Sequence, residues 1–297
     1  MAAVASGQRF ASQAWRLSEW LRASMAPLQQ HPMFKTLRKL ARLQPVQPLP
    51  AIPAGQRIYA VGDVHGRSDL FDALIAAIEA DDAERAAAQT TIILLGDLID
   101  RGPDSAGVIA AARGLAARRK LRALCGNHEE MFLQSFEDIE VLRAFLRYGG
   151  RETILSYPID TIAWNAATMA EAQAMMRWAI PEDDLDFFCT FEDMIVIGDY
   201  LFVHAGIAPG VPLAEQSTSD LRWIREPFLS HEGDHGYMVV HGHTISDRPE
   251  VRSNRIGIDT GAYLHGRLTA LGLDGEERWQ LTASEKAGRI ACKRQAL

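Results

Sequence analysis

Side chains of the types that bind metal ions recur along this chain, each directly after a short apolar run. Asp63 and His65 follow the first run and stand two residues apart, so their side chains can share one face. The others follow four separate runs: Asp97, Asn127, His204 and His243. Two carboxylates, three imidazoles and one amide oxygen suit one or two first-row divalent metals better than Ca²⁺, which prefers oxygen ligands. The set has no thiolate, which excludes a structural zinc finger.

Charge favours two metal ions over one. Two divalent ions carry more positive charge than the carboxylates of Asp63 and Asp97 and a bridging hydroxide can neutralise. The net charge of such a centre is a single positive charge. With Arg101 nearby, such a centre would attract a phosphate dianion. Two metals about 3.5–4 Å apart can generate hydroxide at neutral pH and clamp an in-line displacement. Asp97 lies in the middle of the set, where its carboxylate could bridge the two ions.

Proton transfer to a leaving alkoxide needs a further side chain. His128 directly follows Asn127 and could point to the other side of the substrate. Asp100 could hold the imidazole of His128 in the correct tautomer. These residues predict hydrolysis of a phosphoester.

The elements that position these residues follow from the apolar runs, which are four to six residues long and mostly unalternating, as in strands covered on both faces. Helical patterns at 68–80 and 105–118 separate the first three runs, which predicts a partly parallel sheet. Ligands of such sheets bind at the carboxyl ends of the strands, where every polar cluster falls. Further strands are predicted at 255–258, 268–273 and 279–282, and a helical insertion at about 129–199.

Composition limits the class of protein. The 297 residues are 47% hydrophobic, enough for a sizeable core, and no apolar run reaches the roughly 18 residues of a transmembrane helix. Three widely spaced cysteines form no disulfide framework, so we expect a reducing, cytoplasmic location. Residues 1–50 hold seven Lys/Arg and one acidic residue, a net charge of +6. Since the whole chain has a net charge of −7, the other 247 residues carry −13. An acidic body argues against nucleic acid as a partner.

Three segments are predicted. Residues 1–55 form a basic amphipathic arm and a Pro-rich linker, 56–285 form the catalytic domain, and 286–297 form a C-terminal tail. The linker holds four prolines within nine residues, which forbids a helix. Residues 1–44 could contact an anionic membrane surface. We favour the alternative, in which they pack on their own domain or are partly disordered.

The five clusters together resemble the signatures of calcineurin-like metallophosphoesterases. Within that superfamily they are most similar to the phosphoprotein phosphatase branch, especially bacterial and phage-type serine/threonine protein phosphatases. The matching segments are GDVHG at 62–66, GDLIDRG at 96–102, GNHE at 126–129, HAG at 204–206 and GHT at 242–244. The resemblance covers residues 58–273 and implies an α/β fold with mixed sheets, in which a central β-sandwich is flanked by helices and a dinuclear metal site lies at the strand carboxyl ends.

The resemblance also implies roles for individual residues. His128 would be the general acid, paired with Asp100, and Arg101 would bind phosphate oxygens. A second phosphate arginine is expected between the HAG and GHT signatures; we choose Arg225, with Arg222 as the alternative. The first metal would be held by Asp63, His65 and Asp97, and the second by Asp97, Asn127, His204 and His243. We expect two divalent cations, Mn²⁺ before Fe, Zn²⁺ or Co²⁺.

The predicted activity is hydrolysis of phosphomonoesters by in-line attack of a metal-bridging hydroxide. The favoured substrate is protein phosphoserine or phosphothreonine, with small phosphoesters also accepted. The alternative is symmetrical hydrolysis of dinucleoside tetraphosphates, whose enzymes tend to carry Ala, Asp and Trp where this chain has Asp100, Glu129 and Thr244. A non-catalytic metal-binding scaffold is a second alternative, disfavoured because the whole ligand set is present.

Six further residues have less defined interpretations. His241 is either a supporting residue of the metal site or a packing residue, and loop polarity best explains the histidines and aspartate at 231–235. Asp259 and Tyr263 follow another predicted strand and are candidates for the pocket wall, but not for metal ligands.

Overall fold

The computed structural model describes residues 49–297. Within it, Pro50–Leu297 forms one compact unit. The predicted arm at 1–44 and the first part of the linker lie outside the described residues, so their interpretation stays a prediction.

Strands of the described chain form two sheets. Their bounds are β1 Gln56–Val61, β2 Gln89–Leu94, β3 Leu121–Ala123, β4 Met194–Ile197, β5 Tyr200–Val203, β6 Met238–His241, β7 Glu250–Val251, β8 Arg255–Gly257, β9 Arg267–Asp274, β10 Glu277–Lys286 and β11 Arg289–Ala296. The first sheet has the order β11-β10-β9-β1-β2-β3 and the second β4-β5-β6-β8-β7. Both sheets are mixed: β1, β2 and β3 pair in parallel, as do β5, β6 and β8, while β9, β10 and β11 of the first sheet and β4 and β7 of the second pair antiparallel.

Helices connect the parallel strands and cover one face of the first sheet. Their bounds are α1 Ser68–Glu84, α2 Ser105–Ala116, α3 Asn127–Gln134, α4 Ile139–Phe145, α5 Arg151–Ser156, α6 Thr161–Ala166, α7 Met169–Ala179, α8 Glu182–Cys189, α9 Thr218–Trp223 and α10 Ala262–His265. A π-helical turn at Leu146–Gly150 separates α4 from α5, and a 3₁₀ turn occupies Leu213–Glu215. The predicted helical insertion corresponds to α3–α8.

The core has a layer between the two sheets. Ile58 and Leu271 of the first sheet share one buried apolar cluster with Phe202 and Val240 of the second. A larger cluster joins the other face of the first sheet to the helices, with Leu74 among its members. Since each fully buried side chain of this size contributes about 1.5–3 kcal/mol, these layers fix the sheets face to face. This is the predicted β-sandwich flanked by helices.

Two predicted boundaries differ from the structure. Residues 286–297, expected as a tail, contain β11, which pairs antiparallel with β10 along its whole length. The sequence does not predict β11 as a strand, because this edge strand is exposed at most positions and its residues show no alternation of apolar and polar side chains. The insertion ends at Cys189, and β4 occupies 194–197. In the described part of the chain, no helix combines the length and apolar character needed to span a bilayer.

Candidate active site

The six predicted metal ligands all lie just beyond the carboxyl ends of neighbouring strands. They follow β1, β2, β3, β5 and β6, and each is at most 8% exposed. Asp63 and His65 come after β1, which ends at Val61, and Asp97 comes after β2, which ends at Leu94. Because these strands run parallel within each sheet, their ends bring together residues that are up to 180 positions apart in the sequence.

The backbone at this edge adopts left-handed conformations that L residues rarely occupy. Of six non-glycine residues with positive φ in the described chain, five belong to the predicted site: His65 (47°), Asp97 (51°), Asp100 (74°), Arg101 (70°) and His243 (61°). Each such conformation costs about 1–3 kcal/mol and persists only where the surroundings hold it. The concentration of strain marks this edge as the functional region.

Two glycines of the signatures allow the carboxylates to approach the backbone closely. A Cβ atom on Gly126 would overlap Oδ1 of Asp97, and one on Gly242 would overlap Oδ1 of Asp63. Both positions are far inside van der Waals contact. Any side chain at either glycine would therefore displace a carboxylate of the site.

The first group of potential ligand atoms comprises His65, Asp97 and His128, all within 4.8 Å of one another. Nδ1 of His65 donates to the carbonyl of Ile99 at 2.8 Å, which leaves Nε2 with a lone pair directed at the site. Nε2 lies 3.6 Å from Oδ2 of Asp97. Burial lowers the pKa of His65 to about 3, so its imidazole is neutral, as a metal ligand must be.

The second group comprises Asp97, His204 and His243. Nδ1 of His204 donates to the carbonyl of Leu95 at 2.8 Å, the same arrangement as in His65. Nε2 of His204 lies 3.4 Å from Oδ2 of Asp97. Nε2 of His243 is buried without a hydrogen-bond partner among the described residues, and burial lowers the pKa of this imidazole to about 3. A buried acceptor without a partner is what a metal ion would satisfy.

Asp63 and Asn127 belong to neither group but contact the second one. The carboxylate of Asp63 accepts the backbone N–H of His243 at 3.0 Å, and Oδ1 of Asn127 lies 3.1 Å from Nε2 of His204. Asp97 belongs to both groups, as its central place in the sequence set predicts. Asp97 and His204 form a buried ion pair. Burial lowers the pKa of His204, but Asp97 outweighs burial and raises it to about 10; burial likewise would raise the pKa of Asp97, but His204 and His128 hold it well below its usual value. Binding of a divalent ion at Nε2 of His204 would require the loss of this proton.

Glu129 supports Asp97 from behind. Its buried carboxylate accepts three backbone N–H groups, from Asp97 at 2.8 Å, Leu98 at 2.7 Å and Gly126 at 2.9 Å. It thereby ties the loop after β2 to the loop after β3. Since the side chain is fully buried, Glu129 fixes ligand geometry and does not touch a substrate.

His128 is held by a chain of hydrogen bonds. Its Nδ1 donates to Oδ2 of Asp100 at 2.5 Å, and the hydroxyl of Thr153 donates to Oδ1 of Asp100 at 2.6 Å. Burial lowers the pKa of His128, but the carboxylates of Asp97 and Asp100 outweigh burial and raise it. Nε2 is the ring nitrogen of His128 that Asp100 does not occupy, and it faces the guanidinium of Arg101. The sequence offers no signal for Thr153, because it lies on α5, 53 residues from Asp100.

The guanidinium of Arg101 lies between two imidazoles. NH1 donates to Nε2 of His65 and NH2 to Nε2 of His128, both at 2.7 Å. Its backbone N–H donates to the carbonyl of Gly149 in the π-helical turn at 3.0 Å. The helical insertion therefore contributes directly to the site, through Gly149 and Thr153.

The two alternative arginines differ in their partners. Arg222 is bound by Glu130 at 3.0 Å and by Asp193 at 2.6 Å, so its charge is already paired. Arg225 is exposed, and its NH2 atom lies 3.5 Å from the carbonyl of His243. A paired arginine has less charge to offer a phosphate, which favours Arg225 over Arg222.

Three further histidines, His231, His235 and His241, belong to neither ligand group. His241 is buried edge-on against Phe228, with ring centroids 5.1 Å apart, and Arg255 NH1 lies 3.5 Å from its Nε2. His231 and His235 pack against each other at 4.8 Å on the loop that precedes β6. These contacts are packing contacts.

The donor set fits divalent ions of the first transition row. Imidazole nitrogens with fixed tautomers, a shared carboxylate and an orphaned buried imidazole nitrogen match the requirements of such ions. The two groups share Asp97, which suits a pair of ions, but the first group contains His128 and not the predicted ligand Asp63.

Comparison with known proteins agrees with this site. The family model for calcineurin-like phosphoesterases matches residues 56–270. The chain is 28% identical over 222 residues to serine/threonine-protein phosphatase 1 of Salmonella typhimurium, covering 72% of this chain and 90% of that protein. It is 39% identical over 177 residues to a symmetrical bis(5'-nucleosyl)-tetraphosphatase of Acidovorax sp., covering 60% of this chain but only 49% of that protein.

A solved structure shows the same fold. The crystal structure of a candidate diadenosine tetraphosphatase superposes with a TM-score of 0.53 at 19% identity, covering 83% of this chain and 98% of that one. The family is one of phosphoester hydrolases that use pairs of divalent metals, and the ligand groups described above fit that chemistry. The chain belongs to the calcineurin-like phosphoesterase family.

Proposed function

We propose that this protein hydrolyses phosphomonoesters and that phosphoserine or phosphothreonine in proteins is its substrate. The hydrogen-bonded chain His128–Asp100–Thr153 carries this proposal. Release of a serine or threonine alkoxide needs a proton in the transition state. A nucleotide leaving group departs as a phosphate and depends far less on that proton. A carboxylate and a hydroxyl that fix the ring of a buried histidine therefore favour an alkoxide leaving group.

Two divalent ions are part of the proposal. Residues Asp63, His65 and Asp97 would hold the first, and Asp97, Asn127, His204 and His243 the second. Bound ions supply positive charge to the phosphoryl oxygens and a nucleophile at neutral pH. Mn²⁺ is our first choice, with Fe, Zn²⁺ and Co²⁺ as alternatives.

The chain's own residues orient the phosphate. Arg101 and Arg225 carry planar guanidinium groups that can each pair with two phosphate oxygens. Arg101 lies beside both His65 and His128, so a phosphate bound there is within reach of the proton donor. Nε2 of His128 accepts from Arg101 in this structure; once Arg101 pairs with the phosphate instead, a protonated His128 donates its Nε2 proton to the leaving oxygen, while Asp100 accepts from Nδ1 and stabilises the imidazolium.

Symmetrical hydrolysis of dinucleoside tetraphosphates is the second candidate. It is favoured by the higher identity to the Acidovorax tetraphosphatase, although the chain spans about half of that protein. Asp100, Glu129 and Thr244 are the positions at which this chain differs from the tetraphosphatases. Of these, Glu129 is fully buried and cannot contact a substrate. The comparison therefore depends on Asp100, which acts through His128, and on the half-buried Thr244.

The test is a side-by-side measurement of kcat/KM in Mn²⁺ buffer with a phosphoserine peptide and with diadenosine tetraphosphate. We expect a ratio of about 100 or more in favour of the peptide, or about 2.7 kcal/mol of transition-state preference. The Asp100→Ala variant serves as matched comparison, because it should lose peptide turnover more than tetraphosphate turnover. A ratio in favour of the tetraphosphate would assign the protein to nucleotide hydrolysis, and no turnover of either substrate would favour the scaffold interpretation.

A further inference from the structure

Tyr263 contacts the guanidinium of Arg101. Its ring centroid lies 4.9 Å from Cζ of Arg101, and its ring makes an edge-to-face contact with the ring of His65, with centroids 5.1 Å apart and an interplanar angle of 83°. The sequence places Tyr263 only in the pocket wall. Neither metal binding nor proton transfer explains why an aromatic ring lies against Arg101.

The segment that carries Tyr263 is held firmly. Helix α10 is a single turn between two left-handed glycines, Gly261 (φ 73°) and Gly266 (φ 60°). The carboxylate of Asp259 accepts the N–H of Gly261 at 2.9 Å, and Arg67 donates to the carbonyl of Ala262 at 3.1 Å. These bonds hold the start of the turn, and the N–H of Glu285 donates to the carbonyl of Gly266 at its end at 2.8 Å, so the backbone that carries Tyr263 is fixed on both sides.

Arg101 differs from Arg222 in how it is held. Two carboxylates, Glu130 and Asp193, fix Arg222 and neutralise its charge. The hydrogen bonds of the Arg101 guanidinium go to imidazole nitrogens, which bear no negative charge to compete with phosphate. An aromatic face orients a guanidinium without neutralising it and without using its N–H groups.

We propose that Tyr263 is a positioning residue for phosphate binding: its ring supports the Arg101 guanidinium, whose N–H groups turn from Nε2 of His65 and of His128 to the phosphate when the metals and the phosphate bind. This inference depends on the phosphate-binding role of Arg101 in the proposed function. Tyr263 acts through Arg101 and does not itself contact the reacting atoms. The hydroxyl of Tyr263 is not needed for this role, because the ring face alone makes the contact.

The affinity of the Mn²⁺-loaded full chain for inorganic phosphate, measured by calorimetry, tests the proposal without any turnover. We expect Tyr263→Leu, which keeps apolar volume but removes the ring face, to weaken phosphate binding by about tenfold, within the range of cation–π contacts. Tyr263→Phe should restore most of that affinity. Leu264→Ala is the matched control, since Leu264 is the exposed neighbour on the same turn. If the leucine variant folds poorly, Tyr263→Met makes the same comparison.

A double-mutant cycle with Arg101→Ala tests whether Tyr263 affects phosphate binding through Arg101. In that background Tyr263→Leu should cause no further loss of phosphate affinity, because the group it positions is gone. Independent, additive losses would overturn the proposal, as would a Tyr263→Phe variant as weak as the leucine variant. A loss of Mn²⁺ affinity in Tyr263→Leu would also overturn it, by assigning the role to His65. Failure of the proposed function is distinguishable, since it appears as absent peptide turnover by the unaltered protein.

Discussion

Oδ2 of Asp97 lies 3.4 Å from Nε2 of His204, and the same oxygen is 3.6 Å from Nε2 of His65. One carboxylate oxygen therefore faces imidazoles from both ligand groups. Asp97 joins the two groups because its loop is held in a left-handed conformation and is tied down by Glu129.

Asp97→Asn should weaken Mn²⁺ binding and nearly abolish turnover, because an amide oxygen is a poorer ligand and carries no charge to share between two ions. Calorimetric titration of the protein with Mn²⁺ gives the number of ions bound. Asp69→Asn, at an exposed carboxylate on α1, is the control and should bind the normal number. Full occupancy in Asp97→Asn would show that Asp97 does not bridge.

Gly126→Ala should disrupt the metal site, since the new Cβ would overlap Oδ1 of Asp97. We expect lower Mn²⁺ affinity and a lower free energy of unfolding. Gly114→Ala provides the control: this glycine lies in α2, and a methyl group added to it would meet no atom within 4 Å. That substitution should stabilise the protein by about 0.4–1 kcal/mol. Equal Mn²⁺ affinity in the two variants would contradict the steric argument.

Thr153→Val should reduce kcat on a phosphoserine peptide, because the buried Asp100 carboxylate loses a hydrogen-bond donor. The unfolding free energy should fall by about 1–3 kcal/mol for the same reason. Thr153→Ser retains the hydroxyl and should behave like the unaltered protein in denaturant titrations. A valine variant with normal kcat would show that Asp100 holds His128 without help from α5.

A carboxylate remote from the site should dominate part of the pH dependence of stability. Asp81 accepts hydrogen bonds from Tyr59 (2.6 Å), Trp279 (2.9 Å), Arg85 (3.0 Å) and Arg294 (2.6 Å). Burial would raise its pKa, but the hydrogen bonds from Tyr59 and Arg294 and the charge of Arg85 outweigh burial and lower the pKa below 3.8.

Since the folded-state pKa of Asp81 lies below the unfolded value, its stabilisation is complete above the unfolded pKa and is lost as pH falls through the folded one. The difference in unfolding free energy between the unaltered protein and Asp81→Asn should therefore be constant above about pH 5 and shrink below 3.8. Urea titrations between about pH 3 and 7 measure this difference. A difference that grows in acid would contradict the assignment.

Much of the site follows from local sequence. A short apolar run that ends in glycine and a ligand-type residue identifies a strand end, and this pattern predicts His65, Asp97 and His243 at one edge. Thr153 could not be found this way, because its contact with Asp100 depends on how a helical insertion packs. The contact of Tyr263 with Arg101 is also hidden in the sequence, because it depends on a single turn between two glycines.

The fold shows the same division. Most strands with apolar runs were predicted, although β4 was assigned to the helical insertion. β11 was not predicted, because its residues are mostly polar and its place is set by pairing with β10. The order of strands within each sheet, and the packing of one sheet on the other, depend on contacts between distant segments. Local sequence patterns do not predict those contacts.

The central claim is that His128 donates a proton to a leaving alkoxide. The most direct test compares His128→Asn with the unaltered enzyme on two substrates, a phosphoserine peptide and 2,4-dinitrophenyl phosphate, whose leaving group needs no proton. We expect kcat on the peptide to fall by about 10²–10⁴ while kcat on the aryl ester falls far less, with Mn²⁺ binding unchanged. Equal losses on both substrates, or loss of Mn²⁺ binding, would contradict the account and make His128 a metal ligand or a structural residue.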